Sequence, residues 1–147
     1  MNTPKYIIVH CSDSTFGCQR LIDSWHKERG FSGCGYNFIL LNGQLTTGFS
    51  LPSLNGSIEV GRPCDTEGAH CIGYNSQSIG ICGIAKTEWT ASQIVSLTKL
   101  IQVLCRKFSI PVENVLGHCE TESGKKEGKT CPNLDMENIR ESITGTI

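Results

Sequence analysis

The sequence lacks an excess of charge of either sign. Thirteen Lys and Arg stand against fourteen Asp and Glu, a net charge of −1, and charged residues make up 18% of the chain. With no basic field to hold a polyanion, nucleic acid is disfavoured as the main ligand. No stretch approaches the ~20 apolar residues of a membrane span, so no membrane contact is expected. Met1-Asn2-Thr3-Pro4-Lys5 leads straight into a strand-like run without a signal-peptide pattern, so a cytoplasmic product is expected. Internal repeats and low-complexity segments are missing as well. Nine cysteines are present, but the count is odd and no Cys-x-x-Cys pair occurs. That pattern argues against a secreted disulfide scaffold. Cys82, in Ile81-Cys82-Gly83-Ile84, and Cys105, within a helical repeat, read as small buried hydrophobes. Cys18, Cys34, Cys64 and Cys71 fall in loop-like sequence, which leaves room for one or two bridges.

What is present reads as one domain over residues 1–147, mixed α and β, long enough to bury roughly 70% of the surface of its unfolded chain. Residues 5–10 form a continuous apolar run, the pattern of a central strand covered on both faces. Residues 19–29 predict a helix with Leu21, Ile22 and Trp25 on one face and Gly30 as its stop. Residues 36–41 predict a strand, and Asn42-Gly43 predicts a hairpin that returns residues 44–47 antiparallel to it. Residues 50–56 read as a loop, and residues 58–60 and 78–84 as further strands. Thr90-Ala91-Ser92-Gln93 fits a capping box ahead of Ile94, Leu97, Ile101, Leu104 and Phe108, a helical stripe that Pro111 terminates. A last helix starts with Asp135 as N-cap, Leu134 and Ile139 as a hydrophobic staple, and Ile143 continuing the face. Strands alternating with helices imply an α/β fold, a single mixed central β-sheet flanked by helices.

Three residues far apart in the chain stand out: His10 at the end of the first apolar run, His118 in Leu116-Gly117-His118, and Cys131 in Lys129-Thr130-Cys131-Pro132. Taken singly, each has an ordinary reading. A histidine after a strand serves as a structural hydrogen bonder, a cysteine before proline as buried packing. Taken together, two imidazoles and one thiolate form a three-ligand zinc set whose fourth position is open to water, which points to a hydrolase. A purely structural zinc would need a fourth protein ligand, and only Cys119 beside His118 could supply it. His26, one residue after the apolar Trp25, reads as exposed and not as a ligand.

The ordered stretches Ile8-Val9-His10-Cys11-Ser12, Trp25-His26-Lys27-Glu28-Arg29-Gly30 and Gly35-Tyr36-Asn37-Phe38-Ile39 carry a resemblance. So do Gly68-Ala69-His70, Gly73-Tyr74-Asn75, Ser78-Ile79-Gly80, Gly117-His118 and Lys129-Thr130-Cys131-Pro132. Together they make the chain, from residue 6 to residue 134, similar to the zinc-dependent N-acetylmuramoyl-L-alanine amidases of the bacteriophage T7 lysozyme type. These are relatives of the peptidoglycan recognition proteins.

The resemblance implies a T7 lysozyme-like amidase fold with one zinc ion on His10, His118 and Cys131. It also implies a catalytic tyrosine at Tyr36, a catalytic lysine at Lys129, and a substrate-groove histidine at His70. Where Lys129 stands, the recognition-protein branch tends to carry threonine. One departure is the segment over residues 50–68, with Pro52, Pro63 and Cys64, which looks longer than in the T7-type enzyme and bears on stem-peptide preference.

The implied activity is cleavage of the amide between N-acetylmuramic acid and L-alanine in peptidoglycan by a phage-type endolysin. It would be a monomer made in the cytoplasm and would act on the wall after release, without an appended wall-binding module. In that chemistry Lys129 is the candidate donor to the developing oxyanion, and Tyr36 would hold the attacking water or add a second hydrogen bond. The competing reading is a non-catalytic protein on the same fold that either recognises peptidoglycan or regulates a protein partner such as a phage RNA polymerase. Retention of Cys131 with Tyr36 and Lys129 favours catalysis.

Overall fold

The computed structural model describes residues 1–144. Its strands are β1 (Tyr6–Cys11), β2 (Phe38–Leu40), β3 (Gln44–Thr46), β4 (Phe49–Ser50), β5 (Ile58–Val60), β6 (Ser78–Gly83) and β7 (Val115–Gly117). Its helices are α1 (Gln19–Glu28), α2 (Ala91–Phe108), the short α3 (Glu122–Lys126) and α4 (Met136–Thr144). The main sheet has the order β5-β2-β6-β1-β7. Its four inner and far-edge strands run parallel and β5 closes the near edge antiparallel to β2, so the sheet is mixed.

The uninterrupted apolar character of β1 follows from its place between β6 and β7. From Ile7 to Cys11 every residue is buried. Alternation along the strand divides the core in two. Ile7 and Val9 join Ile79, Ile81, Leu97, Ile101, Leu104, Ile139 and Ile143 beneath α2 and α4. The opposite face meets α1 through Ile22, Ile39, Leu41, Cys82 and Ile84. Each fully buried side chain of this size contributes roughly 1.5–3 kcal/mol, so these two layers hold the fold. His10 pairs in register with Cys82, which puts it on the α1 face.

Local signals fix the helix ends. Thr90 Oγ1 accepts from the Gln93 N–H at 3.1 Å and Gln93 Oε1 accepts from the Thr90 N–H at 2.9 Å, a closed capping box. The Asn138 N–H donates to Asp135 Oδ1 at 3.2 Å at the start of α4. Arg29 caps α1, and Gly30 follows with φ of +92°, a value that glycine adopts without strain.

One expectation is corrected. The Asn42-Gly43 turn does form, with Asn42 Oδ1 accepting from the Gln44 N–H at 3.0 Å, but β3 does not return beside β2. It pairs with β4 in a separate two-stranded sheet. The reason is long-range: Leu41 exchanges backbone bonds with Ser57 and Gly56, which seats β5 along the edge that a hairpin would have used. The loop cysteines form no bridges; all nine thiols are free. Among the described residues no helix is long and apolar enough to cross a membrane.

Candidate active site

A cleft of about 610 Å³ opens on the α1 face of the sheet, a size in the ordinary range for small-ligand sites. Its wall includes His10, Tyr36, His70, His118, Lys129 and Cys131, so all six residues singled out in the sequence meet there. One nitrogen each from His10 and His118 and the sulfur of Cys131 lie within 4.8 Å of one another. Cys119 is not part of that cluster.

Each donor is held by its own local structure. His10 is the penultimate residue of β1 and is 2% exposed. The next residue, Cys11, turns its backbone N–H to the Cys131 sulfur at 3.0 Å, so one strand end presents one donor and anchors another. His118 begins a single 3-10 turn directly after β7. The Gly117 N–H donates to Glu120 Oε1 at 2.9 Å, and Arg140 of α4 clamps the same carboxylate at 2.8 and 2.9 Å while donating to the Val115 carbonyl. Thr121 Oγ1 donates to the His118 carbonyl at 2.7 Å, and Gly124 packs so closely on that carbonyl that no Cβ fits. The Cys119 N–H donates to the Cys131 carbonyl at 2.8 Å, which ties the two C-terminal donor segments to each other.

Tyr36 reaches the cleft from the loop ahead of β2, and α1 braces that loop. Asp23 Oδ1 accepts from the Cys34 N–H at 2.7 Å and His26 Nδ1 accepts from the Gly35 N–H at 2.8 Å. The Tyr36 ring centroid then lies 5.0 Å from that of His10. Lys129 is anchored through its N–H to the Gly124 carbonyl at 2.9 Å, while its side chain stays about half exposed with Nζ 3.8 Å from the Glu127 carboxylate. His70 uses both ring nitrogens inside the protein: Nδ1 is 2.9 Å from His10 Nε2 and Nε2 is 3.3 Å from Ser78 Oγ.

His26 corrects the reading of it as exposed. It is 6% exposed, lines the cleft, and lies with its ring 5.3 Å from Tyr36. Its position after Trp25 gave the helix face correctly, but the loop over residues 33–36 folds back onto that face and covers it. Arg29, one turn on, lines the same cleft. Neither had a signal in the sequence beyond its place in the Trp25-to-Gly30 stretch.

Burial sets the ionisation of the site. It holds His10 well below the usual imidazole value, aided by the His70 and His118 rings, and takes His70 down to about 3. Burial and the Lys129 charge lower His118. Burial, with Cys82 and Cys131 nearby, pushes the Tyr36 hydroxyl well up, so it stays a proton donor. The Cys11 and Cys131 thiols lie against each other. The interaction with Cys131 draws Cys11 down to about 7, and the interaction with Cys11 together with burial pushes Cys131 up. A cation at Cys131 reverses that order, because a coordinating thiol is deprotonated outright. Neutral imidazoles beside a sulfur that already receives a backbone N–H form a donor set that fits a zinc-type ion.

Comparisons with known proteins agree with this chemistry. The sequence pattern of the N-acetylmuramoyl-L-alanine amidase family matches residues 1–134. The endolysin of Escherichia phage T7 is 32% identical over 142 residues, covering 88% of this chain and 81% of that protein. A peptidoglycan-recognition protein of Drosophila melanogaster is 32% identical over 123 residues, covering 81% of this chain and 58% of that protein. Among solved structures, the N-acetylmuramoyl-L-alanine amidase LysC from Clostridium intestinale superposes with a TM-score of 0.77 at 27% identity, covering 97% of this chain and 86% of that one.

Proposed function

The chain belongs to the N-acetylmuramoyl-L-alanine amidase family, and from that premise we propose that it is a phage-type endolysin. It cleaves the amide between N-acetylmuramic acid and L-alanine of peptidoglycan, with one zinc ion held by His10, His118 and Cys131. The observation that carries the reading is the convergence of those three donors, from positions 10, 118 and 131, at the wall of one cleft. When bound, such an ion supplies a Lewis acid and lowers the pKa of its water to about 7.

The chain's own groups do the rest. Cys131 carries the negative charge of the ligand set, and the Cys11 N–H at 3.0 Å both stabilises that charge and aims the sulfur. His10 and His118 bind as neutral rings, which leaves the ion most of its positive charge. Tyr36, kept protonated by its burial, donates a hydrogen bond to an oxygen in the cleft and so fixes the direction of approach. Lys129, on a half-exposed stem at the rim, places an ammonium where charge develops on the scissile carbonyl oxygen. A donor of that kind is typically worth about 10²–10³ in rate. The bulk of His70 shapes the cleft wall, and any contact it makes to substrate comes from the ring faces, since its nitrogens are already paired. All of these groups come from one chain, so the site needs no residue from a second subunit.

The test is digestion of purified peptidoglycan with and without a zinc chelator. Release of stem peptides with new L-alanine amino termini, stopped by the chelator and restored by zinc, is the expected result. Full activity in chelator, or glycan cleavage without new alanine termini, would overturn the reading.

A further inference from the structure

One row of side chains behind the donor cluster has no part in that chemistry. On β6, alternate residues Ser78, Gly80 and Cys82 face the cleft side of the sheet. The His70 ring lies over Gly80, where an added Cβ would fall 2.7–2.8 Å from three ring atoms, and a Cβ at Gly68 would come within 2.6 Å of the same ring. The segment is pinned by Asn75 Oδ1, which accepts from the N–H groups of His70 and Cys71 at 2.8 and 2.9 Å. The His70 ring is therefore a built feature, set at right angles to His10 with centroids 4.9 Å apart.

The proton positions along the row follow from its far end. Ser78 Oγ is 2.7 Å from the Tyr74 carbonyl oxygen, which only accepts, so the single hydroxyl proton goes there. The Ser78 oxygen is then left as acceptor for His70, and the His70 Nε2–H donates to it across 3.3 Å. A neutral imidazole with that proton on Nε2 has a bare lone pair on Nδ1. The 2.9 Å bond between His70 Nδ1 and His10 Nε2 must then be donated by His10. His10 keeps one lone pair, on Nδ1.

We propose that His70 is the positioning residue of the metal centre: it accepts from His10 Nε2–H, and so holds His10 in the tautomer that offers Nδ1 to the ion, with Ser78 orienting His70 in turn. This rests on the zinc reading and assigns a nitrogen and a second layer to it. Ligating histidines generally donate their other N–H to a fixed acceptor, and loss of that acceptor costs about 10–100-fold in metal affinity. Here the acceptor is a second imidazole. The same assignment excludes a role for the His70 nitrogens in hydrogen bonding to substrate.

The experiment has two arms. In zinc-free protein, long-range ¹H–¹⁵N correlation of the histidine rings should show His10 protonated on Nε2; protonation on Nδ1 would overturn the proposal. In the second arm, zinc affinity is read by competition with a chromogenic chelator, with circular dichroism as the check on folding. His70→Leu should weaken zinc binding about 10–100-fold, while His70→Asn, which keeps an acceptor near the place of Nδ1, should recover most of it. Ser78→Ala, a change small enough to leave the fold intact, should weaken zinc binding by a smaller factor and mix the His10 tautomers. Unchanged affinity in both His70→Leu and Ser78→Ala, or a raised KM with zinc binding intact, would overturn it; if His70→Leu does not fold, Ser78→Ala decides alone. A wild-type protein that binds no zinc would end the zinc reading itself, and the zinc-free spectra would still decide the tautomer.

Discussion

In the proposed mechanism, single side chains carry the separable parts of the chemistry. Cys131→Ala removes the one anionic donor, so it should abolish wall hydrolysis and release zinc, measurable by metal content after gel filtration. Lys129→Ala removes a half-exposed ammonium whose ion pair with Glu127 is itself exposed and worth little to stability. It should keep zinc and stability but lower kcat about 10²–10³-fold; unchanged turnover would remove Lys129 from the mechanism. The contrast at this scale lies in what the two residues hold. Cys131 is tied to β1 by its sulfur and to Cys119 by its carbonyl, whereas Lys129 is tied by its backbone and by one exposed ion pair with Glu127. The conspicuous residues were readable as motifs, but their bonds were not: nothing in Gly68-Ala69-His70 says that the ring will meet His10, because that contact spans sixty positions.

Elements deliver these side chains, and the two clearest devices are charge-assisted. Arg140 of α4 reaches across to Glu120 and the Val115 carbonyl, so a helix on one side of the sheet holds the turn that carries His118. Burial alone raises the Glu120 pKa, but Arg140 and the Gly117 N–H outweigh it and hold the carboxyl low. Arg140→Leu leaves that carboxylate partly buried without its partner. It should cost about 2 kcal/mol, read by chemical denaturation, and should also weaken zinc binding.

Asp23 is the second device. Lys27 and the Cys34 N–H hold its pKa below the usual carboxylate value, so the folded form favours the charged state. The tether to the Tyr36 loop is complete above the ordinary value of about 3.9 and is lost as pH falls through the depressed one. The Cys34 amide resonance should move only in that lower range, and Asp23→Asn should abolish the movement. Helix ends of this kind were legible because capping is local: the Thr90 box and the Asp135 cap each span four residues. The Asn42-Gly43 turn was legible for the same reason, but its strand pairing was not, since β5 arrives from beyond the next loop to take that edge.

For the molecule as a whole, the cores and the site are separate pieces of energetics. The apolar layers under α2 and α4 and against α1 contain none of the three donors. Chelation should therefore leave the far-ultraviolet spectrum intact while lowering Tm, because a ligand that binds only the native state stabilises it by about 2.7 kcal/mol at one hundred times its Kd. Collapse of the fold on chelation would contradict that separation. The α/β class was readable from the apolar run of β1 and the stripe of α2, and helices on both faces of a mixed sheet are what those patterns require. Burial of His26 was not readable, because a helix position specifies direction and not what later folds above it.

The place of β1 has a consequence for how the protein comes into being. β1 is made before its neighbours: it is flanked on one side by β6 and on the other by β7, so its second neighbour is complete only when residue 117 has been added. The donors at 118 and 131 come later still. At about 5–20 residues per second, a nascent chain spends several seconds without the full donor set, and one that stops before residue 131 never gains it. A wall-degrading activity encoded this way switches on only after residue 131 has been made.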